Sequence, residues 1–372
     1  MMMNRFIRDD LRDFVSYDAN QVDCRVKLDA NESHYDIPDI VKDEILKTLK
    51  DKWRYNLYPD SDSTLLRTVI AESIGVGKDN IGIGQNKTGI RKDNILVGNG
   101  SDQLIQIIIN CIVGVDDRVV CPAPSFGMYK ISAAIAGAQT VEVPLDSEFQ
   151  YDLDKYMDAL DKYKPKVAFI CTPNNPTGCA LSKDQVISVA QAFPDTAIVV
   201  DEAYCEFNGV TVVDKVEEYD NLIVLRTLSK AYGLAGLRVG YSIACEDLTR
   251  QLHKVKPPYN LNTFSQQAAV AILKNKAIIK EGINTIVAER DRVFAVLKNM
   301  EGIKPYPSSA NFILIKCDNG KEVYQKLLED GILVRSFGSK GMLDNCIRVS
   351  IGTPAQNDLF LSSLKAITGG NK

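Results

Sequence analysis

Apolar and polar positions follow two rhythms along this chain. Short, unbroken apolar runs at 95–97, 167–171, 197–200 and 222–225 show no helical spacing, and each ends abruptly in glycine or polar residues. Runs of this length, apolar at every position, read as strands of a parallel sheet covered on both faces. Around them lie patterns with helical spacing: Ile40, Val41, Ile45, Leu46 and Leu49, then Leu65, Leu66, Val69 and Ile70. The nearly apolar stretch 104–115 reads as a buried helix, and Ser182 with Gln185 opens another as a capping box that runs to Phe193. The Tyr58-Pro59 pair breaks the first pattern, and Ser63 or Thr64 is placed to cap the next. The β, α, β, α succession from Ile95 to Ile243 predicts an α/β fold, its central sheet mainly parallel with helices on both faces.

The pattern changes after Asn260. Helices rich in Ala, Ile and Val, including a long one through 288–297, lead to predicted strands at 312–316 and 346–351 with a helix near 323–328 between them. This reads as a smaller α+β domain. The chain therefore divides into an N-terminal arm with part of the small domain (1–44), a large α/β domain (45–261) and a small C-terminal α+β domain (262–372). Within the arm, Phe6, Ile7, Leu11 and Phe14 fall roughly on one face of a short helix. Between Gly75 and Asn94 the string KDNI occurs at 78–81 and again at 92–95, separated by Gly82, Gly84 and Gly89, which predicts a surface loop or a small hairpin.

Composition narrows the field. At 372 residues there is room for two domains, and a net charge of −4 without a basic stripe excludes a nucleic-acid surface. The opening MMMNRFIRDDLRDF lacks the apolar core of a signal peptide, and 104–115 is too short to span a bilayer and carries Gln106 and Asn110. No membrane association is expected. Nine cysteines without CxxC pairs suit reduced thiols in a cytoplasmic protein, and with only His34 and His253 no metal site is expected.

Candidate chemistry collects at the strand ends, where ligands bind in open α/β sheets. The run at 222–225 leads into Thr227, Ser229 and Lys230, with Arg238 eight residues beyond the lysine. An amine beside two hydroxyls and a fixed cation suits a phosphate that carries an aldehyde. The run at 197–200 ends in Asp201, Glu202, Ala203 and Tyr204, and the run at 167–171 leads to Asn174, Asn175, Thr177 and Gly178. A pyridine aldehyde phosphate needs a carboxylate to keep its ring nitrogen protonated, which suits Asp201, and donors for its phenolate oxygen, which suit Asn175 and Tyr204. Singly these read as a helix cap, a turn and a core aromatic; their joint arrival ahead of Ser-Lys points to the cofactor. The glycine turn before Ser101 and Asp102 opens a helix N-terminus that attracts a phosphate. Gln103 stands where a dinucleotide fingerprint wants its third glycine, so a single phosphate fits better. Phe126, after another strand end, suits either stacking on a pyridine ring or ordinary core packing.

The strings TPNNPTG, VVDEAY, RTLSKAYGLAGLRVGY and KPPYNLN, with KLDANES near the N-terminus, resemble the histidinol-phosphate aminotransferases, within the fold-type-I pyridoxal-phosphate enzymes. The likeness runs from Lys27 to Arg348 and covers nearly the whole chain. It implies a fold-type-I transferase fold and pyridoxal 5'-phosphate on Lys230. It implies amino transfer between L-histidinol phosphate and 2-oxoglutarate in histidine biosynthesis, giving imidazole-acetol phosphate and L-glutamate. It further implies a homodimer in which Tyr58 reaches the neighbour's cofactor phosphate, and an arm that brings Tyr17 to the substrate. Arg348 would take the substrate's carboxylate or phosphate with Arg335 beside it, while Asn175 serves substrate and cofactor. Asn31 and Glu32 end a short strand near the cofactor in similar enzymes, but their chemistry gives them no independent role. The chain departs from the pattern in its longer 75–94 connection and in Gln103, where the family more often has Glu. An aromatic amino-acid aminotransferase and a phosphothreonine decarboxylase-like lyase remain open. A non-catalytic cofactor-binding regulator is disfavoured by the presence of Lys230.

Overall fold

The computed structural model describes residues 6–8, 11, 22–52, 54, 56–74, 88–338 and 341–369. Phe14, Tyr17 and the first KDNI copy lie outside them. In chain order come β1 (Val26–Leu28), α1 (Asp39–Lys52), α2 (Thr64–Ser73), β2 (Ile95–Asn99), α3 (Ser101–Ile112), β3 (Arg118–Ala123), α4 (Met128–Ile135) and β4 (Gln139–Pro144). The middle adds α5 (Leu153–Tyr163), β5 (Val167–Cys171), α6 (Lys183–Ala192), β6 (Ala197–Asp201), β7 (Leu222–Thr227), β8 (Val239–Ile243) and α7 (Glu246–His253). The last part holds α8 (Thr263–Lys274), α9 (Lys276–Leu297), β9 (Ile303–Pro305), β10 (Phe312–Cys317), α10 (Gly320–Glu329), β11 (Ile332–Ser336), β12 (Cys346–Ser350) and α11 (Pro354–Gly369).

Seven strands form one sheet in the order β2-β8-β7-β6-β5-β3-β4, parallel except for β8, which runs antiparallel to both its neighbours. Its central strands are buried end to end, and their period of two sorts the side chains. Ala168, Ile170, Ile198, Val200, Leu222 and Val224 join one core cluster; Val167, Phe169, Val199, Ile223 and Leu225 join the cluster on the opposite face. Each such Val, Leu, Ile or Phe side chain, fully removed from water, stabilises the fold by about 1.5–3 kcal/mol. The register then sets the chemistry: Cys171 pairs with Asp201, Asp201 with Leu225, Thr227 with Gly240 and Asn99 with Val239. The exits of β2, β5, β6 and β7 and the entry of β8 thus share one edge.

A second, five-stranded sheet has the order β1-β11-β12-β10-β9 and takes β1 from the beginning of the chain, parallel to β11. Arg335 on β11 stands opposite Arg348 on β12.

Several local expectations change. Ser63 sits at the start of α2 with φ 48° and its side chain makes no capping bond. Asp60 caps instead, its carboxylate accepting from the N–H groups of Asp62 at 3.0 Å and Thr64 at 2.7 Å. Ser182 and Gln185 do form the capping box of α6. Along α1, Val41 and Ile45 are buried but Ile40 and Leu46 are exposed, because the helix packs against α8 on one side. The second KDNI copy is a single 3-10 turn leading straight into β2. Strand β9, rich in polar and turn-forming neighbours, had no apolar run to announce it.

Candidate active site

The strand edge closes over a cavity of about 180 Å³. Ser101, Asp102, Phe126, Asn175, Asp201 and Tyr204 line it, together with Thr227, Ser229, Lys230, Arg238 and Arg348. Residues that are hundreds of positions apart thus meet because their strands end side by side.

Lys230 lies in the turn after β7, and its Nζ donates to the carbonyl oxygen of Ala30 at 2.9 Å. Enclosure is the main force pushing the amine down to about 8; the charges of Arg348 and Arg238 push the same way, while Glu32 and Asp102 oppose them. An amine so tuned is neutral in about one molecule in ten at pH 7, far more often than an ordinary lysine, and only the neutral form is a nucleophile toward a carbonyl.

Asp201 closes β6 and is 3 % exposed. Its carboxylate accepts from the Tyr129 hydroxyl at 2.6 Å and from the Ala203 N–H at 3.0 Å. Burial nevertheless pushes it up to about 6, against the pull of those two bonds. Among the described residues no basic side chain pairs with it, so a cation brought into the cavity, such as a protonated ring nitrogen, would meet a carboxylate that gains by ionising.

The third corner is a cup for an anion. Gly100, at φ 83°, turns the chain from β2 into the first turn of α3, where backbone N–H groups are free to bind. Arg238 lies across it in the left-handed region, φ 52°, with Nη2 3.0 Å from Asp102 and Nη1 3.4 Å from Ser229 Oγ. A Cβ on Gly100 would lie 2.5 Å from Arg238 Nη2, and one on Gly240 would lie 2.5 Å from the Ser101 nitrogen. Only glycine lets β8 and the arginine press this closely on the turn. The Thr227 hydroxyl is committed to holding the loop, accepting from Ser229 N–H at 3.1 Å and donating to the Val239 carbonyl at 3.4 Å.

Arg348 donates to the Asn175 side-chain oxygen and to the Asp29 carbonyl, and its guanidinium lies 5.3 Å from the Phe312 ring centre. Asn174, fully buried, ties the loop before Phe126 to the turn that carries Asn175: it donates to Pro124 O at 3.0 Å and Thr177 Oγ1 at 2.8 Å and accepts from Ser125 Oγ at 2.7 Å. Phe126 packs edge-on against Tyr129, 5.7 Å between centres. Behind the cavity, buried Arg226 reaches Glu202 at 2.8 Å and Thr211 at 2.6 Å, locking the exit of β6 to β7. Tyr58 and Arg335 are not among the lining residues. Tyr58 is 79 % exposed and stacks on Tyr259 at 4.3 Å.

The resemblance set Asn31 near the cofactor, but its chemistry offered no role. It lines the cavity and its amide donates to the Tyr204 hydroxyl at 3.0 Å. The only signal was its place in KLDANES at the end of a short strand.

The family model for aminotransferase class I and II matches residues 25–364. A histidinol-phosphate aminotransferase of Ruminiclostridium cellulolyticum is 45% identical over 368 residues, 98% of this chain and 99% of that one. One from Thermoanaerobacter pseudethanolicus is 40% identical over 366 residues, again 98% and 99%. Among solved structures, histidinol-phosphate aminotransferase from Sinorhizobium meliloti in complex with pyridoxal-5'-phosphate matches with a TM-score of 0.83 and 26% identity, over 94% of this chain and 92% of that one. With a strand edge that gathers an amine, an unpaired carboxylate and an anion cup, the chain belongs to the class I and II aminotransferases and, within them, to the histidinol-phosphate aminotransferase family.

Proposed function

We propose that the chain is a pyridoxal-phosphate-dependent transaminase that moves an amino group between L-histidinol phosphate and 2-oxoglutarate, giving imidazole-acetol phosphate and L-glutamate, in histidine biosynthesis. The observation that carries the reading is that the Lys230 amine, the Asp201 carboxylate and the Arg238 cup all line one cavity. The donor set fits the cofactor: a tuned amine for its aldehyde, a buried carboxylate without a cation for its ring nitrogen, and hydroxyls with a guanidinium for its phosphate. When bound, pyridoxal phosphate supplies an electron-withdrawing ring that acidifies the α-carbon of an attached amine.

The chain's own residues do the rest. Lys230 Nζ would hold the cofactor's aldehyde carbon covalently and, as a free amine, would be the base that carries the proton at the substrate's α-carbon. Asp201 would keep the ring nitrogen protonated by its charge. Asn175 and Tyr204 would donate to the phenolate oxygen, Phe126 would cover the ring, and Ser101, Asp102, Ser229 and Arg238 would form the phosphate cup, with Thr227 holding the loop that carries Ser229. Arg348 binds the substrate anion, carboxylate or phosphate, with Arg335 behind it. Exclusion of water by the surrounding core strengthens each of these contacts.

The same reading proposes a cytoplasmic homodimer, with Tyr58 reaching the partner's phosphate cup and Tyr17 touching substrate. It also keeps the division into 1–44, 45–261 and 262–372. The test is turnover of histidinol phosphate with 2-oxoglutarate by the purified protein, measured beside phenylalanine. Preference for phenylalanine, or carbon dioxide release without an amino acceptor, would replace this reading with another.

A further inference from the structure

Asn31 follows β1 at the cavity wall, 1 % exposed and in the left-handed region at φ 55°. Asparagine tolerates that conformation better than most residues. The twist lets one residue turn both its backbone N–H and its side-chain amide toward Ser350 on β12. The N–H donates to Ser350 Oγ at 2.8 Å, and that oxygen lies 3.1 Å from Asn31 Oδ1. A serine hydroxyl that accepts from an N–H still has its own proton to place. It goes to Oδ1, which fixes the amide's orientation and leaves Nδ2 facing the Tyr204 oxygen at 3.0 Å. Asn311 secures the backbone, its Nδ2 donating to Asn31 O at 3.0 Å. A phenol has a single proton, and Tyr204, accepting from Asn31, is left to donate that proton elsewhere. The tyrosine lines the cavity, so the cavity is where the proton points.

We propose that Asn31 is a positioning residue that commits the Tyr204 hydroxyl to donate into the cavity, through a one-way run of hydrogen bonds from Ser350 on the small sheet to Tyr204 beyond β6. The inference rests on the reading of this cavity as the pyridoxal-phosphate site, where the donated proton meets the phenolate oxygen. The charged and titratable groups that act on the hydroxyl are Arg348 from β12 and Asp201 and Cys171 from the exits of β6 and β5, while Lys230, from the turn after β7, lies with Nζ 5.9 Å from the Tyr204 ring centre. The Tyr204 ring is held edge-on to Phe312, 5.2 Å between centres, so it cannot swing to compensate for a lost partner.

The test titrates with pH the visible absorption band of the full-length protein loaded with pyridoxal phosphate, with melting temperatures alongside, in the wild type, Asn31→Asp, Ser350→Ala and Tyr204→Phe. A donor at the phenolate oxygen favours the deprotonated form, so losing it raises the midpoint by about one pH unit. Tyr204→Phe should show that rise. Asn31→Asp, which turns the donor into an acceptor, and Ser350→Ala, which frees the amide to flip, should shift the midpoint in the same direction. Neither should move it further in the Tyr204→Phe background. A shift at Asn31 that survives in that background is a direct charge effect and overturns the proposal, as does an unmoved midpoint in both Asn31→Asp and Ser350→Ala. If Asn31→Asp does not fold, Ser350→Ala carries the comparison. These results leave the cofactor reading standing, whereas a wild-type protein that takes up no visible band overturns both.

Discussion

Replacing Asp201 by Asn should make the cofactor-free protein more stable at alkaline pH and the loaded enzyme far less active. Burial moves the Asp201 carboxyl from an ordinary value of 3.8 to about 6. That displacement makes the ionised form roughly 3 kcal/mol less favourable in the fold than in the unfolded chain. For an acid whose folded value is raised, the penalty is absent below about pH 4, grows as the unfolded chain ionises, and is complete above about pH 6. Asn carries no charge and escapes it. Weakened bonds from Tyr129 and Ala203 take back about 1 kcal/mol, leaving a net gain of about 1–2 kcal/mol at pH 8 and none at about pH 4.5. Urea unfolding of the cofactor-free wild type and Asp201→Asn at both pH values measures the difference directly. A gap that does not change with pH would refute the account of Asp201 as a buried carboxylate waiting for a cation. With pyridoxal phosphate bound the order should reverse. Removing one partner of a buried charge pair costs about 3–5 kcal/mol, so turnover should fall by roughly two to four orders of magnitude.

Further outcomes follow from the same geometry. Enclosure pushes the Lys230 amine down to about 8, so the rate at which cofactor-free protein captures pyridoxal phosphate, followed by colour development, should rise with pH, reach half its limit near pH 8 and level off above about pH 9, because only the neutral amine attacks. Arg348→Ala removes a cation that pushes that amine down, so the same profile should move to higher pH, and KM for both substrates should rise by about 10- to 100-fold; an unmoved profile would separate Arg348 from Lys230. Gly240→Ala drives a methyl to 2.5 Å from the Ser101 nitrogen, which should cost about 1–3 kcal/mol by thermal unfolding and weaken pyridoxal phosphate binding measured by equilibrium dialysis. Unchanged affinity would mean that the turn before α3 is not part of the phosphate cup.

The strand edge was readable because its signal is one-dimensional: an apolar run that ends in Asp201, in Thr227 or before Asn175 declares both a buried strand and where it surfaces. Parallel pairing then aligns those ends whatever the connecting lengths. Asn31 was not readable, since its partners Tyr204, Asn311 and Ser350 lie 173, 280 and 319 positions away, and its left-handed backbone leaves no mark on hydrophobic periodicity. The capping error at Ser63 has the same origin. Any of several polar residues before an apolar helix qualifies by type, and only the backbone angle decides that Asp60, three positions earlier, takes the bonds. Tyr58, with its ring on Tyr259 and exposed to solvent, gives a single chain no contact that would disclose a role.

The pairing of β1 with β11 has a consequence for how the protein is made. Residues 26–28 find their partners at 332–334, so a chain still growing on the ribosome can assemble the amine, the carboxylate and the anion cup from segments already released, while Ala30 and Asn31 wait. The wall that receives the lysine closes last, when nearly all of the polypeptide has emerged.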